Sequence, residues 1–279
     1  LNRLKAAVIG AAGRMGGWFT RYFIGKGFET VVYDIDREGL RKTAEKYHID
    51  MADNLKGAVA DAAVTLVAVS LAATAEVVSD VLKTVKRRAA VVEIASFKKD
   101  IVERLKTTGR KDVAVISLHP MFGHGAKSLS GQRMVVVPVK DLEREAAAAR
   151  TLFPEAEVIT ATAEEHDEAM ATVLALTHFT NFIFASALPW RTIEKIRRLS
   201  GTSFNLQITL AESILHDDPG LLAAIQIDNR YTAKYLDRFV KEAEALRRLV
   251  TEKDKQKMTK SIKTLSAKMK SDPQHKQAY

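Results

Sequence analysis

The chain has 279 residues, 47% of them hydrophobic and 28% charged, with a formal net charge of +9 and no cysteine. That size suits one large or two ordinary domains with a real core. The absence of cysteine excludes disulfides, thiolate nucleophiles and cysteine-ligated metals, and it fits a cytoplasmic enzyme. Residues 251–279 hold eight lysines against Glu252, Asp254 and Asp272, so over half of the net charge lies there. Apart from Tyr279 this stretch has no aromatic side chain to stack on bases. Met258, Ile262, Leu265 and Met269 recur at helical spacing, which reads as an amphipathic helix with a solvated lysine face. Nucleic acid is not an expected partner; the basic balance suits small anionic substrates. No apolar run reads as long enough to span a bilayer and no leader pattern opens the chain, so no membrane partner is expected. The first residue is Leu1 rather than Met, which suggests a processed or trimmed end.

An apolar run at 6–9 ends in a turn carrying Gly10, Gly13 and Gly16. A helical stretch follows. A second apolar run then ends in Asp34, 18 residues after Gly16. Glycines at those places allow a tight turn, close approach of backbone to a pyrophosphate and close helix–strand packing. The helix start, with Arg14 and Met15 between the glycines, offers unpaired N–H groups to phosphate. Asp34 is placed to accept from both ribose hydroxyls, which favours NAD over a 2′-phosphorylated cofactor. The spacing is GxxGxxG, with Ala11 where a strict GxGxxG would have glycine. The same pattern also serves a plain strand–turn–helix unit, and Arg37 is a possible 2′-phosphate partner. The acid in register favours the NAD reading.

Further strands are expected at 63–69, 89–94, 113–118 and 134–137, with an edge strand at 156–159. Helices are expected at 18–26, 37–46, 74–85 and 101–107. Buried strands alternating with amphipathic helices define an α/β, Rossmann-type doubly wound sheet. Near Thr162 the alternation stops. A long apolar helix is expected at 163–188, ended by Pro189, with Glu164, Glu165 and Asp167 in its first turn where acids suit the dipole. Helices at 202–215, 219–248 and 252–271 follow, with Asp218 as N-cap and Pro219 at the first helical position. The expected division is a dinucleotide-binding domain at 1–161 and an all-α domain at 162–279. Helices so rich in Ala, Leu and Phe suit burial against a second copy, so a homodimer is expected.

Ligands of open α/β sheets lie beyond the C-terminal strand ends. Ser96 follows one such strand and His119 another. A serine beside a histidine can fix its tautomer, leaving His119 to take a substrate proton as hydride departs. His166, at a helix start, reads as a capping residue, and His178, with Asn181 on the same face, as a satisfied core histidine. His48, His216 and His275 read as surface residues. No HExxH or spaced carboxylate set is present, so no metal is expected. Arg230 is placed on a helix with an apolar face and is the candidate clamp for a carboxylate. The competing reading pairs it with Asp228 or Asp237 at the surface.

Together the Gly10–Gly16 loop, 93–98 (EIASFK), 119–123 (HPMFG), 165–167 (EHD), His178 and 228–230 (DNR) resemble prephenate dehydrogenases of tyrosine biosynthesis, over roughly residues 4–250. The HPMFG stretch is most similar to the branch fused to chorismate mutase, so the chain is expected to be a stand-alone enzyme or a piece of a multidomain fusion. The resemblance implies NAD-dependent oxidative decarboxylation of prephenate to 4-hydroxyphenylpyruvate. It implies that His119 takes the proton of the substrate's 4-hydroxyl, that Ser96 orients His119, and that Arg230 binds a substrate carboxylate. It further implies that Lys98 adds positive potential near the substrate and that His178 and Asn181 meet its side chain. Many family members have histidine where Asn181 stands, which leaves prephenate against arogenate open. An unperturbed His119 would titrate near ~6.5. The alternatives are an arogenate dehydrogenase, a β-hydroxyacid dehydrogenase or a non-catalytic dinucleotide sensor.

Overall fold

The computed structural model describes residues 3–107 and 110–273; His275 lies outside them. The first half runs β1 (Lys5–Ile9), α1 (Arg14–Gly25), β2 (Glu29–Tyr33), α2 (Arg37–Tyr47), β3 (Asp50–Met51), α3 (Leu55–Val59), β4 (Val64–Val67) and α4 (Leu71–Thr84). It continues through β5 (Ala90–Glu93), α5 (Lys99–Lys106), β6 (Ala114–Pro120), β7 (Arg133–Val137), α6 (Leu142–Leu152) and β8 (Glu157–Thr160). The strands form one sheet in the order β3-β2-β1-β4-β5-β6-β7-β8. Every pairing is parallel except β6 with β7. The order reverses at β1, between β2 and β4, and that switch opens a crevice beyond the strand ends.

Helices cover both faces, so the central strands are buried on both sides and read as unbroken Val, Ile and Ala runs. One core packs Val78, Val81, Val102 and Leu105 under Val67, Val91 and Val115. The other packs Phe19, Phe23, Leu40 and Phe153 over Val8, Val32, Leu66 and Ile116. The short elements β3 and α3, and helix α6, were not expected. Asn54 caps α3 through Gly57 N, and Asp141 caps α6 through Arg144 N. α6 is so rich in alanine that its apolar stripe is faint in sequence.

The second half starts with α7 (Ala163–Met170), passes through a π turn at Ala171–Leu176, and continues as α8 (Thr177–Ala187). Thr162 and Glu165 form a reciprocal capping box at its start. A 3₁₀ turn at Trp190–Thr192 precedes α9 (Ile193–Arg198), α10 (Thr202–Leu215), α11 (Pro219–Ile227), α12 (Thr232–Thr251) and α13 (Lys255–Lys270). The single helix expected at 219–248 is two. Asn229 breaks it: its side chain donates to Asp167 O and accepts from Tyr231 N, local bonding that competes with the helix ladder.

By length and composition, the helix Ala163–Ala187 is apolar enough to cross a membrane, contrary to the sequence reading, and 28% of its most apolar window is buried in the chain. It nevertheless carries Asp167, His166 and Asn181, each buried and hydrogen-bonded to other elements or to its own helix. The two halves meet where Phe97 and Met121 pack with Met170, Ala175 and Ile225.

Candidate active site

His119 is the penultimate residue of β6, inside the strand rather than after it, and pairs with Val135. It is 6% exposed. Its Nδ1 lies 2.9 Å from His166 Nε2, and His166 Nδ1 lies 2.7 Å from Asp167 Oδ1. Asp167 in turn accepts from Lys98 N and Lys99 N, each at 2.9 Å. A carboxylate of the helical domain thus serves the first amides of α5, where negative charge suits the helix dipole.

This chain of bonds assigns the tautomers. An ionised carboxylate only accepts, so His166 Nδ1 carries a proton and its Nε2 accepts. His119 Nδ1 then donates, and His119 Nε2 is left bare as a base. Burial, the neighbouring His166 and the charge of Lys98 all hold the His119 pKa well below the usual histidine value. Burial also lowers His166, against the pull of Asp167. The imidazole pair is therefore neutral at pH 7.

Three sequence readings are corrected here. His166 does not cap α7; Thr162 does, and His166 is the group that fixes His119. Ser96 is half-buried and makes no hydrogen bond to His119, whose Nδ1 is taken. Lys98 is fully buried, its ammonium enclosed by protein groups rather than open to a ligand. Its Nζ donates to Glu93 Oε1 at 2.8 Å and to Leu118 O at 2.8 Å, and Ser117 Oγ donates to the same Glu93 oxygen. A buried charge needs such partners. Lys98 thus acts beneath β6, holding the backbone before His119 and lowering that imidazole's proton affinity.

The glycine turn has the shape its residues demand. Gly10 has φ +86°, and a Cβ there would collide with the Ala68 carbonyl. A Cβ on Gly16 would collide with the Gly10 carbonyl. Gly13 caps α1 without any side-chain hydrogen bond, leaving the first amides of α1 open. That backbone cradle fits a dinucleotide pyrophosphate. Asp34 Oδ2 accepts from Ala12 N at 2.9 Å and Oδ1 from Asp36 N at 3.0 Å, which locks its carboxylate beside the turn. Arg37 Nη1 donates to Ala52 O at 2.8 Å and is drawn toward β3.

Other expected residues lie elsewhere. Arg230 sits in the turn between α11 and α12, not on a helix. It is exposed and pairs with neither Asp228 nor Asp237; its guanidinium lies 5.8 Å from the Tyr231 ring centre. It lines a cavity of about 400 Å³ with Leu71, Phe97, Lys99, Arg104 and Asp167. His119 does not line that cavity, so Asp167 is the link between the two places. Asn181 is buried, with Nδ2 donating to Thr177 O and Oδ1 accepting from Gln207 Nε2. His178 is half-buried with its Nδ1 unpartnered, and burial lowers its pKa. Among the described residues no cluster of three or more His, Asp or Glu could hold a metal.

Fold and site together define a nucleotide-binding α/β domain joined to a helical domain, with a buried, hydrogen-bonded histidine pair at the join. The model of the prephenate dehydrogenase nucleotide-binding domain matches residues 19–156, and that of the prephenate dehydrogenase dimerization domain matches 162–264. The chain belongs to the prephenate dehydrogenase family. It is 26% identical over 268 residues to a probable arogenate/prephenate dehydrogenase of Methanocaldococcus jannaschii, covering 94% of this chain and 60% of that protein. It is 26% identical to the T-protein of Haemophilus influenzae, covering 80% of this chain and 56% of that one. This chain therefore spans somewhat over half the length of these relatives. The Aquifex aeolicus prephenate dehydrogenase solved with hydroxyphenyl propionate and NAD+ shares the fold at TM-score 0.76, with 18% identity over 98% of this chain and 99% of that one. A Synechocystis arogenate dehydrogenase follows at 0.68, with 16% identity over 96% and 99%.

Proposed function

We propose that this protein is a cytoplasmic, NAD-dependent prephenate dehydrogenase that converts prephenate to 4-hydroxyphenylpyruvate in tyrosine biosynthesis. The observation that carries the reading is the Asp167–His166–His119 chain, which leaves a neutral imidazole with Nε2 bare at the strand end. A bound NAD supplies the hydride acceptor. His119 Nε2 takes the proton of the substrate's 4-hydroxyl as the carbon beneath becomes a carbonyl, and the ring carboxylate leaves as carbon dioxide as the ring becomes aromatic. Removing that proton in step with hydride departure stabilises the transition state. Ser96, with its hydroxyl unclaimed at the end of β5, contacts the substrate hydroxyl or the nicotinamide. Arg230 holds a carboxylate in the cavity beyond Asp167.

NAD rather than NADP is supported by the locked Asp34 and by the engagement of Arg37 with Ala52. Prephenate rather than arogenate rests on the family resemblance; arogenate is the second substrate to test, because relatives carrying either name share the fold. A homodimer is supported by the matched dimerization domain and by the exposed apolar side chains Val173, Ile183, Leu206 and Leu210 on the helical domain. Sedimentation equilibrium should give twice 30.8 kDa; a monomer at micromolar concentration would refute it.

The deciding experiment follows absorbance at 340 nm with NAD and prephenate, with arogenate and NADP in parallel. His119→Asn should lower turnover by about 10²-fold or more, the scale of lost base catalysis, while NAD binding persists. Unchanged turnover in that variant would overturn the assigned role.

A further inference from the structure

The turn between α10 and α11 reaches across the seam to the start of α1. Asp217 in that turn accepts through Oδ1 from Arg14 Nη1 at 3.0 Å. Arg14 is the first residue of α1, directly after Gly13, on the helix end whose amides are open. The same Asp217 oxygen lies 3.7 Å from His124 Nδ1, in the loop that follows β6. His178, on α8, also feels the Asp217 charge. One carboxylate of the helical domain therefore faces the glycine turn, the loop after His119 and the apolar helix.

A guanidinium carries five N–H donors in a planar fork, and Asp217 takes one of them. The others remain available to a second anion. An arginine fixed at one nitrogen loses less rotamer freedom when it meets that anion. We propose that Asp217 is a positioning residue for the cofactor: it holds Arg14 at the N-terminus of α1, set to receive the pyrophosphate of a dinucleotide. The helical domain thereby contributes to dinucleotide affinity through a residue that does not touch the dinucleotide. This rests on the dinucleotide reading given above.

The test is calorimetric binding of ADP-ribose, which has the pyrophosphate but no redox chemistry, to the full chain. Asp217→Ala should weaken binding about three- to fivefold, the scale of a part-exposed ion pair. Asp217→Asn, whose oxygen still accepts from Arg14, should recover most of that loss. In an Arg14→Gln background Asp217→Ala should have no further effect. Unchanged or tighter binding in Asp217→Ala, which would make the carboxylate idle or a competitor of the phosphates, overturns the proposal. So does a loss that persists without Arg14. Failure of the unaltered chain to bind ADP-ribose would overturn the dinucleotide reading, and this inference with it.

Discussion

Replacing His166 by Phe tests the logic of the site most directly. His166 meets His119 edge to face, with ring centres 5.0 Å apart and planes at 66°, so a phenyl ring keeps the packing. It removes the acceptor for His119 Nδ1. His119 is 6% exposed, so water cannot readily replace that acceptor. A buried donor left without a partner costs about 1–3 kcal/mol. That cost falls on the tautomer with the proton on Nδ1, which is the one with Nε2 bare. The productive tautomer, and with it kcat/KM, should drop by roughly 5- to 150-fold, converting that energy at 1.36 kcal/mol per decade. The acid limb of the kcat/KM profile should also move to higher pH, because His166 is one of the causes that lower His119. His166→Gln, which can offer a carbonyl oxygen to Nδ1, should recover most of the rate. The assay is NADH formation across pH 5 to 9, with circular dichroism to confirm folding. A folded His166→Phe enzyme within twofold of the parent, with its acid limb unmoved, would refute the tautomer argument.

Three further outcomes are expected. The pKa of His119 is pushed below its ordinary value, so kcat/KM should be flat through neutrality and fall only well below pH 6.5; a half-maximal point at or above 6.5 would contradict the burial argument. The same depressed pKa means the unfolded chain binds protons more readily. His119 and His166 therefore contribute stability in full above about 6.5 that is lost as pH falls through their folded values, which denaturant midpoints at pH 7.5 and 5.5 would show. Arg230→Ala should mainly raise KM for prephenate, since it removes a ground-state carboxylate contact; an effect confined to NAD binding would place Arg230 elsewhere.

Much was legible in the sequence because it is written locally. The glycine turn, the acid after β2, the apolar strand runs and the Asp218-Pro219 helix start are all set within a few residues by backbone geometry and periodicity. Those signals determine a nucleotide-binding sheet followed by helices, and they place His119 at a strand end. Less was legible where the outcome depends on distant partners. Nothing beside Asn229 in sequence announces that its amide will bond Asp167 O and break a helix. Lys98 reads as a charge near the substrate until Glu93, Ser117 and the Leu118 carbonyl close around it. His166 reads like a helix-start residue until α7 is laid against β6. The only local hint is that it sits between two acids in a segment that begins an apolar helix. Sequence by itself determined which groups could act as base, cradle and clamp. Only tertiary structure decided which nitrogen of His119 is free, because a tautomer is fixed by hydrogen bonds between residues 47 positions apart.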